Sequence, residues 1–382
     1  MLISESSISL IRGGTLYWAQ EQTRLIRPNQ WNLARRVTFL IGLAWLPLLI
    51  LAALHSRANL DQLFGDYRVG SLVFVALPLL LVAQITMENR FREMAQHFLD
   101  AGLIPADQFP IFQKIMGRAQ RLRDAKLPEI LIIFMVYGLL VYLLESIGPR
   151  SAAWAMDGVV RTPAGLYFLW GTQPLFLVLL FLVFWKWIIW VVVLRNLSCL
   201  RLQLDSTDGD FCAGLGFLGE IPAAFVPAVI AISTVIGATW RMQLLAGRIT
   251  LQSLIAPACV LAVIVVCILF VPLVLFVPSL VQEKRQGILR YGSLRHLHSL
   301  EFRERWLANR DERPENLLGA PEISSLADIS TSFNNVESMR PFPFRKGVVL
   351  ALLVALALPL IPVVTTKIPL RELLKGLLEA LH

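Results

Sequence analysis

Seven stretches of this chain are apolar enough, for long enough, to cross a lipid bilayer, and a backbone immersed in lipid has little choice but to coil into helices. A crossing needs about 20 mostly apolar residues. In hydrocarbon every backbone N–H and C=O must find its partner within the protein. The stretches are residues 37–54, 69–87, 130–144, 166–194, 221–240, 251–280 and 347–366. They predict an all-α transmembrane helical bundle of about seven spans, with six to eight the range the pattern allows. Composition agrees: 56% of the 382 residues are hydrophobic and 16% charged, against about a quarter charged in a soluble domain. The stretch 130–144 is short and is expected to borrow turns beyond Glu129 or Glu145.

The spans divide the chain. Residues 1–36 precede the first, 88–128 separate the second from the third, 281–346 separate the sixth from the seventh, and 367–382 follow the last. Counting Lys and Arg between spans orients them, because basic loops resist translocation. With the N-terminus inside, the inner segments hold 25 and the outer ones 9, and Lys186, within a span, completes the 35. The expected topology therefore has the N-terminus cytoplasmic and the C-terminus outside. The net charge of +8 follows from this topology, and no nucleic-acid partner is expected. The beginning of the chain lacks the order of a cleaved signal peptide. The four cysteines, Cys199, Cys212, Cys259 and Cys267, make no disulfide framework.

Two of the inner segments are long enough to fold. Phe91, Met94, Phe98 and Leu99 recur at helical spacing, as do Phe112, Ile115, Met116, Ala119 and Leu122 after Pro110, so 88–128 reads as a helical hairpin. Apolar stripes also mark 288–307 and 323–339, joined by the polar run 309–315. After Pro369, leucines 370, 373, 374, 377, 378 and 381 share one face, giving an amphipathic tail that lies in a membrane interface or docks on a partner.

Residues 205–220 (DSTDGDFCAGLGFLGE) are the richest in possible chemistry. Gly214, Gly216 and Gly219 spell G-x-G-x-x-G, but a membrane helix precedes them where a nucleotide-binding fold needs a strand. Asp205, Asp208 and Asp210 offer hard oxygen ligands suited to a cation. The competing reading is that they cap turns while the glycines allow a sharp re-entry into the fifth span. Lys186 is the one formal charge well inside an apolar run, which marks it as a functional candidate. Against that, Trp185, Trp187 and Trp190 resemble an interfacial aromatic belt, from which the lysine would extend to the headgroups. Prolines such as Pro47, Pro222, Pro272 and Pro359 interrupt several spans, as in transporters with broken helices. His296 and His298 fall on different helix faces and make no metal pair. No nucleophile elbow, P-loop or zinc-protease motif is present, and no cofactor or metal is called for.

The run GLGFLGE entering the fifth span, and the later SLADIS with MRPFPF, a proline-containing span and IPLRELLKGLLEAL, resemble a group of uncharacterised bacterial multi-span inner-membrane proteins. That resemblance implies a bacterial inner membrane and transfers no catalytic residues. Three functional classes stay open: a conduit or transporter, a scaffold or sensor recruiting a cytosolic partner through 281–346, and a membrane enzyme; the partners expected are the lipid bilayer and a cytosolic protein or a second copy of the chain. The expected topology has a direct check. A phosphatase fused after His382 is expected to be active outside the cytoplasm and a fluorescent reporter there to stay dark; the reverse pattern would refute the orientation.

Overall fold

The computed structural model describes residues 32–147, 153–157, 160–304 and 321–367. The first 31 residues, the 309–315 linker and the leucine-rich tail lie outside the described residues. In chain order the elements are α1 (Leu33–His55), α2 (Arg57–Gly65), α3 (Tyr67–Asp100), α4 (Phe109–Asp124) and α5 (Lys126–Ile147). A two-residue antiparallel hairpin follows, β1 (Met156–Asp157) and β2 (Val160–Arg161). Then come α6 (Pro163–Ser198), α7 (Gly216–Leu245), α8 (Gln252–Arg303), α9 (Pro321–Ser338) and α10 (Lys346–Val364). Seven of these, namely α1, α3, α5, α6, α7, α8 and α10, are long and apolar enough to cross a membrane. The protein is thus an all-α, multi-pass membrane bundle. Helix α5 runs from Lys126 to Ile147, so the short third stretch is extended both through Glu129 and through Glu145.

Which face each helix buries follows from its pattern. On α1 the buried positions are Arg36, Leu40, Ala44, Leu48 and Ala52, one per turn, while Phe39, Leu43, Leu46 and Ile50 face outward. In lipid an outward apolar face is no liability, so packing selects which side turns inward. Helix α3 is the central post: it is buried repeatedly from Leu72 through Phe98 and packs on α1, α6 and α7. Helix α5 is peripheral. It meets the bundle through Ile132, Val136 and Leu140, which pack with Leu182 of α6.

The spans are not continuous α-helix. Residues Leu72–Ala76 of α3 and Phe168–Thr172 of α6 form π turns, and Gly216–Phe225, Val271–Phe276 and Leu358–Leu360 are 3₁₀ segments. Each break alters the hydrogen-bond ladder, and at four carbonyls a hydroxyl from a neighbouring helix adds a bond. Pro47 cannot donate to the carbonyl one turn earlier, that of Leu43; the Tyr167 hydroxyl donates to it instead at 2.6 Å. The Thr172 hydroxyl bonds the next carbonyl, Ala44, at 3.0 Å. Thr86 reaches Ala224 O at 2.8 Å, and Ser233 reaches Leu356 O at 2.5 Å, beside the 3₁₀ segment of α10. At Gly237 a Cβ would stand 3.0 Å from Pro359 O, so α7 and α10 touch through bare backbone there.

At one end of the bundle the connecting segments join in a layer. Gln203 N donates to Leu103 O at 2.9 Å and Arg201 N to Gln108 Oε1 at 2.9 Å, binding the 200–203 strip to the turn before α4. Lys284 Nζ caps the end of α9 by donating to Glu337 O at 2.8 Å and Met339 O at 2.7 Å. Arg295 lies over the Phe333 ring at 4.0 Å, fastening α9 along the projecting half of α8. At the opposite end, the turn Ala153–Ala155 before the β hairpin packs against both α2 and the start of α6.

Substitution of Tyr167 by Phe together with Thr172 by Val is expected to destabilise the bundle by about 1 kcal/mol per lost bond, the scale of hydrogen bonds between membrane helices. Thermal unfolding in detergent would register this as a lower midpoint. An unchanged midpoint would mean that the proline-freed carbonyl finds another partner.

Candidate functional site

The aspartates of the 205–216 loop turn back on their own chain. Asp205 Oδ1 accepts from Thr207 N at 2.9 Å and from its hydroxyl at 2.7 Å, and Asp208 Oδ1 accepts from Asp210 N at 3.0 Å. Asp210 does most, with Oδ1 accepting from Cys212 N at 2.6 Å and Gly214 N at 3.1 Å, and Oδ2 from Gly216 N at 2.7 Å. This gathers a backbone in which Phe211, Ala213 and Gly214 all have positive φ, of 57°, 53° and 85°. Such conformations cost a side-chain-bearing residue roughly 1 kcal/mol or more, and the carboxylate offsets that. Among the described residues no group of three or more His, Cys, Asp or Glu is arranged to hold a metal ion. The glycines have packing roles: a Cβ on Gly219 would stand 2.8 Å from Pro343 O. The loop also grips the end of α9, through Asn335 Nδ2 to Thr207 O at 3.2 Å, and the segment before α10, through Arg340 N to Phe211 O at 2.7 Å. Buried beside Asp210, the Cys212 thiol is pushed up to about 11, burial being the larger cause.

Lys186 has company that the apolar runs conceal. Glu88, Arg36, Glu129 and Arg123 all lie within electrostatic reach of it. Glu88 closes the second apolar run, Arg36 just precedes the first, and Glu129 precedes the third; folding turns these flanking residues inward. Glu88 is 1% exposed, accepts from Arg92 Nη2 at 3.2 Å, and has its other oxygen buried without a hydrogen bond. One turn along the same face, Gln84 Oε1 accepts from Arg36 Nη2 at 3.3 Å. The available signal was the spacing of Gln84 and Glu88, which puts both on the face shared with Met87 and Phe91. The tryptophan belt is only partly a belt: Trp190 is wholly buried and stacks on Phe91 with ring centroids 5.9 Å apart.

Near the other end of the bundle lies a cavity of about 360 Å³, walled by α3, α5, α6 and α7 and bordered by the β hairpin. Nothing in the sequence marked it, because its walls come from residues some 170 positions apart. Both π segments contribute, with Leu72 from one and Phe168 and Leu169 from the other. π turns recur at functional sites because they reset the direction of side chains. At its margin Asp66, the residue that caps α3, is held by a fork from Arg68: Nε to Oδ1 at 3.1 Å and Nη2 to Oδ2 at 2.8 Å. Trp154 Nε1 donates to Oδ2 at 3.0 Å and Arg68 N to Oδ1 at 3.0 Å. Arg161, Gln173 and Thr239 complete its polar lining.

Comparison with known proteins gives no match: no family model, curated protein or solved structure aligns significantly with the chain. What fold and site define is thus a class, a seven-span helical membrane protein with a cavity at one end and a buried charge cluster towards the other.

The corner at Asp66 has a pH signature. Burial alone would raise this carboxyl, but hydrogen bonds from Arg68 and Trp154 and the charge of Arg68 outweigh it, so the group sits below its ordinary 3.8. A depressed acid contributes stability above its unfolded value and loses it as pH falls through the folded value. Asp66→Asn is therefore expected to lower stability near neutral pH by about 1–3 kcal/mol, the scale of bonds to a charged group. The gap between variant and wild type in thermal unfolding should close as pH drops below 3.8; a gap that persists in acid would contradict this account.

Proposed function

We propose that this membrane protein is a transport-related component of a bacterial inner membrane, oriented with its N-terminus in the cytoplasm, and that the cavity bordered by Asp66, Arg68 and Arg161 is where its cargo binds. The observation that carries this reading is the placement of both π segments in the cavity wall. A cavity within a bundle is a common ligand site, and one walled by irregular helix has side chains that can be re-aimed by a small change of hydrogen bonding. Beyond the cavity, Val73, Ala76, Leu77, Leu80 and Leu81 of α3 are buried in solid packing. Further along the same helix come Gln84 and Glu88. In this reading the packed aliphatic layer is the barrier and the charge cluster around Lys186 lies on its cytoplasmic side. The excess of Lys and Arg in the segments expected inside, 25 against 9, supports the orientation through the positive-inside bias.

The test is flux. Purified protein in sealed vesicles, screened against a panel of ions, small solutes and amphiphiles, is expected to pass at least one several-fold faster than empty vesicles. Thr239→Trp, which fills the cavity, should slow that flux. A panel in which nothing moves faster than the control would remove the proposal.

A second reading, recruitment of a cytosolic partner through 281–346, is favoured by Leu289, Leu294 and Leu297, which are exposed on the projecting half of α8. Crosslinking in cells would support it only if the captured partner were lost on replacing these leucines by serine.

A further inference from the structure

The cavity bordered by the β hairpin is apolar on nearly every side, its charged corner included. Val69, Leu144 and Trp154 stand with Asp66 and Arg68, and Phe176, Leu177 and Val235 line it elsewhere. Its ligand is therefore decided by which of its few polar groups still has bonding capacity to offer. The charged groups are committed. Asp66 receives four hydrogen bonds, from Arg68 N, Nε and Nη2 and from Trp154 Nε1, which is about what a carboxylate can accept. The same fork sets the charge of Arg68 against that of Asp66, and Arg161 has a partner of its own. Arg241 lies over the Tyr67 ring at 4.0 Å and is not part of the lining.

The two neutral polar groups differ from these. Thr239 Oγ1 donates to Val235 O at 2.9 Å and keeps only its capacity to accept. Gln173 of α6 lines the cavity from within an apolar stretch, and among the described residues its side-chain amide makes no hydrogen bond. An amide carries two donor hydrogens and an acceptor oxygen, and leaving it unbonded inside a span is costly. A charged head would lose its hydration here and meet charges already matched or partnered, so the cost of burying it would go uncompensated. A bare hydrocarbon would fit the walls and leave the amide without a partner. A hydroxyl answers both demands, since it can accept from Gln173 Nε2 and donate to Gln173 Oε1 or Thr239 Oγ1.

We infer that the cavity binds an uncharged, single-chain amphiphile whose hydroxyl head is held by the Gln173 amide and whose chain lies against the apolar walls. The volume of about 360 Å³ is near the lower end for small-molecule pockets. At about 30 Å³ for each water-sized group it takes one chain of roughly a dozen carbons with its head, and not two. The inference deepens the transport reading by naming the cargo class, and rests on that reading for the cargo role, while binding itself is independent of it.

The experiment uses full-length protein in uncharged detergent with photoreactive probes of one chain length: the alcohol, the alkane, the sulfate ester and the trimethylammonium salt, each with its carbene precursor at the chain end. Crosslinks are mapped by mass spectrometry. The alcohol is expected to label the α5, α6 or α7 peptides that line the cavity about tenfold more than each of the other three, which corresponds to roughly 1.4 kcal/mol. Gln173→Leu should bring the alcohol down to the alkane and leave labelling by the alkane no weaker, an outcome that a misfolded variant would not give. Val235→Trp should abolish labelling by both while the unfolding midpoint confirms a folded protein. An alcohol that labels no better than the alkane, or an alcohol preference that survives Gln173→Leu, would overturn the inference. So would equal or stronger labelling by either charged probe, or labelling confined to outward faces such as Phe134 and Leu131. Selective labelling in a protein that passes nothing in vesicles would refute transport and leave the binding site standing, whereas flux without selective labelling would refute the binding site alone.

Discussion

The structure depends on the rule that lipid offers a peptide group no hydrogen bond. Because each span must satisfy its own backbone, a carbonyl that loses its helical donor needs a local change of ladder or a donor from a neighbour. Pro47 is the clearest instance. Its missing N–H leaves Leu43 O without its helical donor, and Tyr167, one residue before the π turn of α6, supplies a hydroxyl there, with Thr172 doing the same for Ala44. The irregular stretch of one span thus mends the irregular stretch of another. The same exchange links α3 with α7 through Thr86 and α7 with α10 through Ser233. Side-chain hydroxyls at these few positions fix which helix sits beside which, something that apolar packing in a hydrocarbon solvent specifies weakly.

Charge is handled by a related economy. Towards the basic end, Arg36, Glu88, Arg92 and Lys186 are drawn from three different spans, and Glu88, with Glu129 nearby, offsets part of the positive charge gathered there. Isolated, each would be expensive in a low-dielectric interior; gathered, they form a polar plug whose members constrain each other's rotamers. At the other end Asp66 and Arg68 form a compact pair sealed by Trp154. The bundle therefore has a charged feature near both ends and an aliphatic waist between, and both features sit on α3.

The seven spans could be read directly from the sequence, because length and apolarity are properties of contiguous residues. The role of Asp210 was half legible: three aspartates among glycines announced a tight loop, yet only folding revealed that one carboxylate holds three backbone N–H groups. The partners of Lys186 stayed hidden since Glu88, Arg36 and Glu129 fall just outside the apolar runs, where a charge looks like a loop residue. Trp190 resembled a headgroup anchor because its neighbours Trp185 and Trp187 share its composition, but helical phase turns it to the core. The cavity left no trace, being assembled from four spans and a hairpin, and the π turns left none because no residue type demands them.

Each π turn amounts to one residue more than an α-helix of the same path would need. A single residue corresponds to about 100° of rotation around a helix axis. Leu72–Ala76 thereby sets the angular phase between Asp66 with its arginine fork on one side and Gln84 with Glu88 on the other. Deleting one residue anywhere within that turn would leave an apparently intact hydrophobic segment while swinging one charged feature out towards the acyl chains. The two ends of this helix are therefore geared to each other, and the tolerance of the segment for point substitution should greatly exceed its tolerance for a change of length.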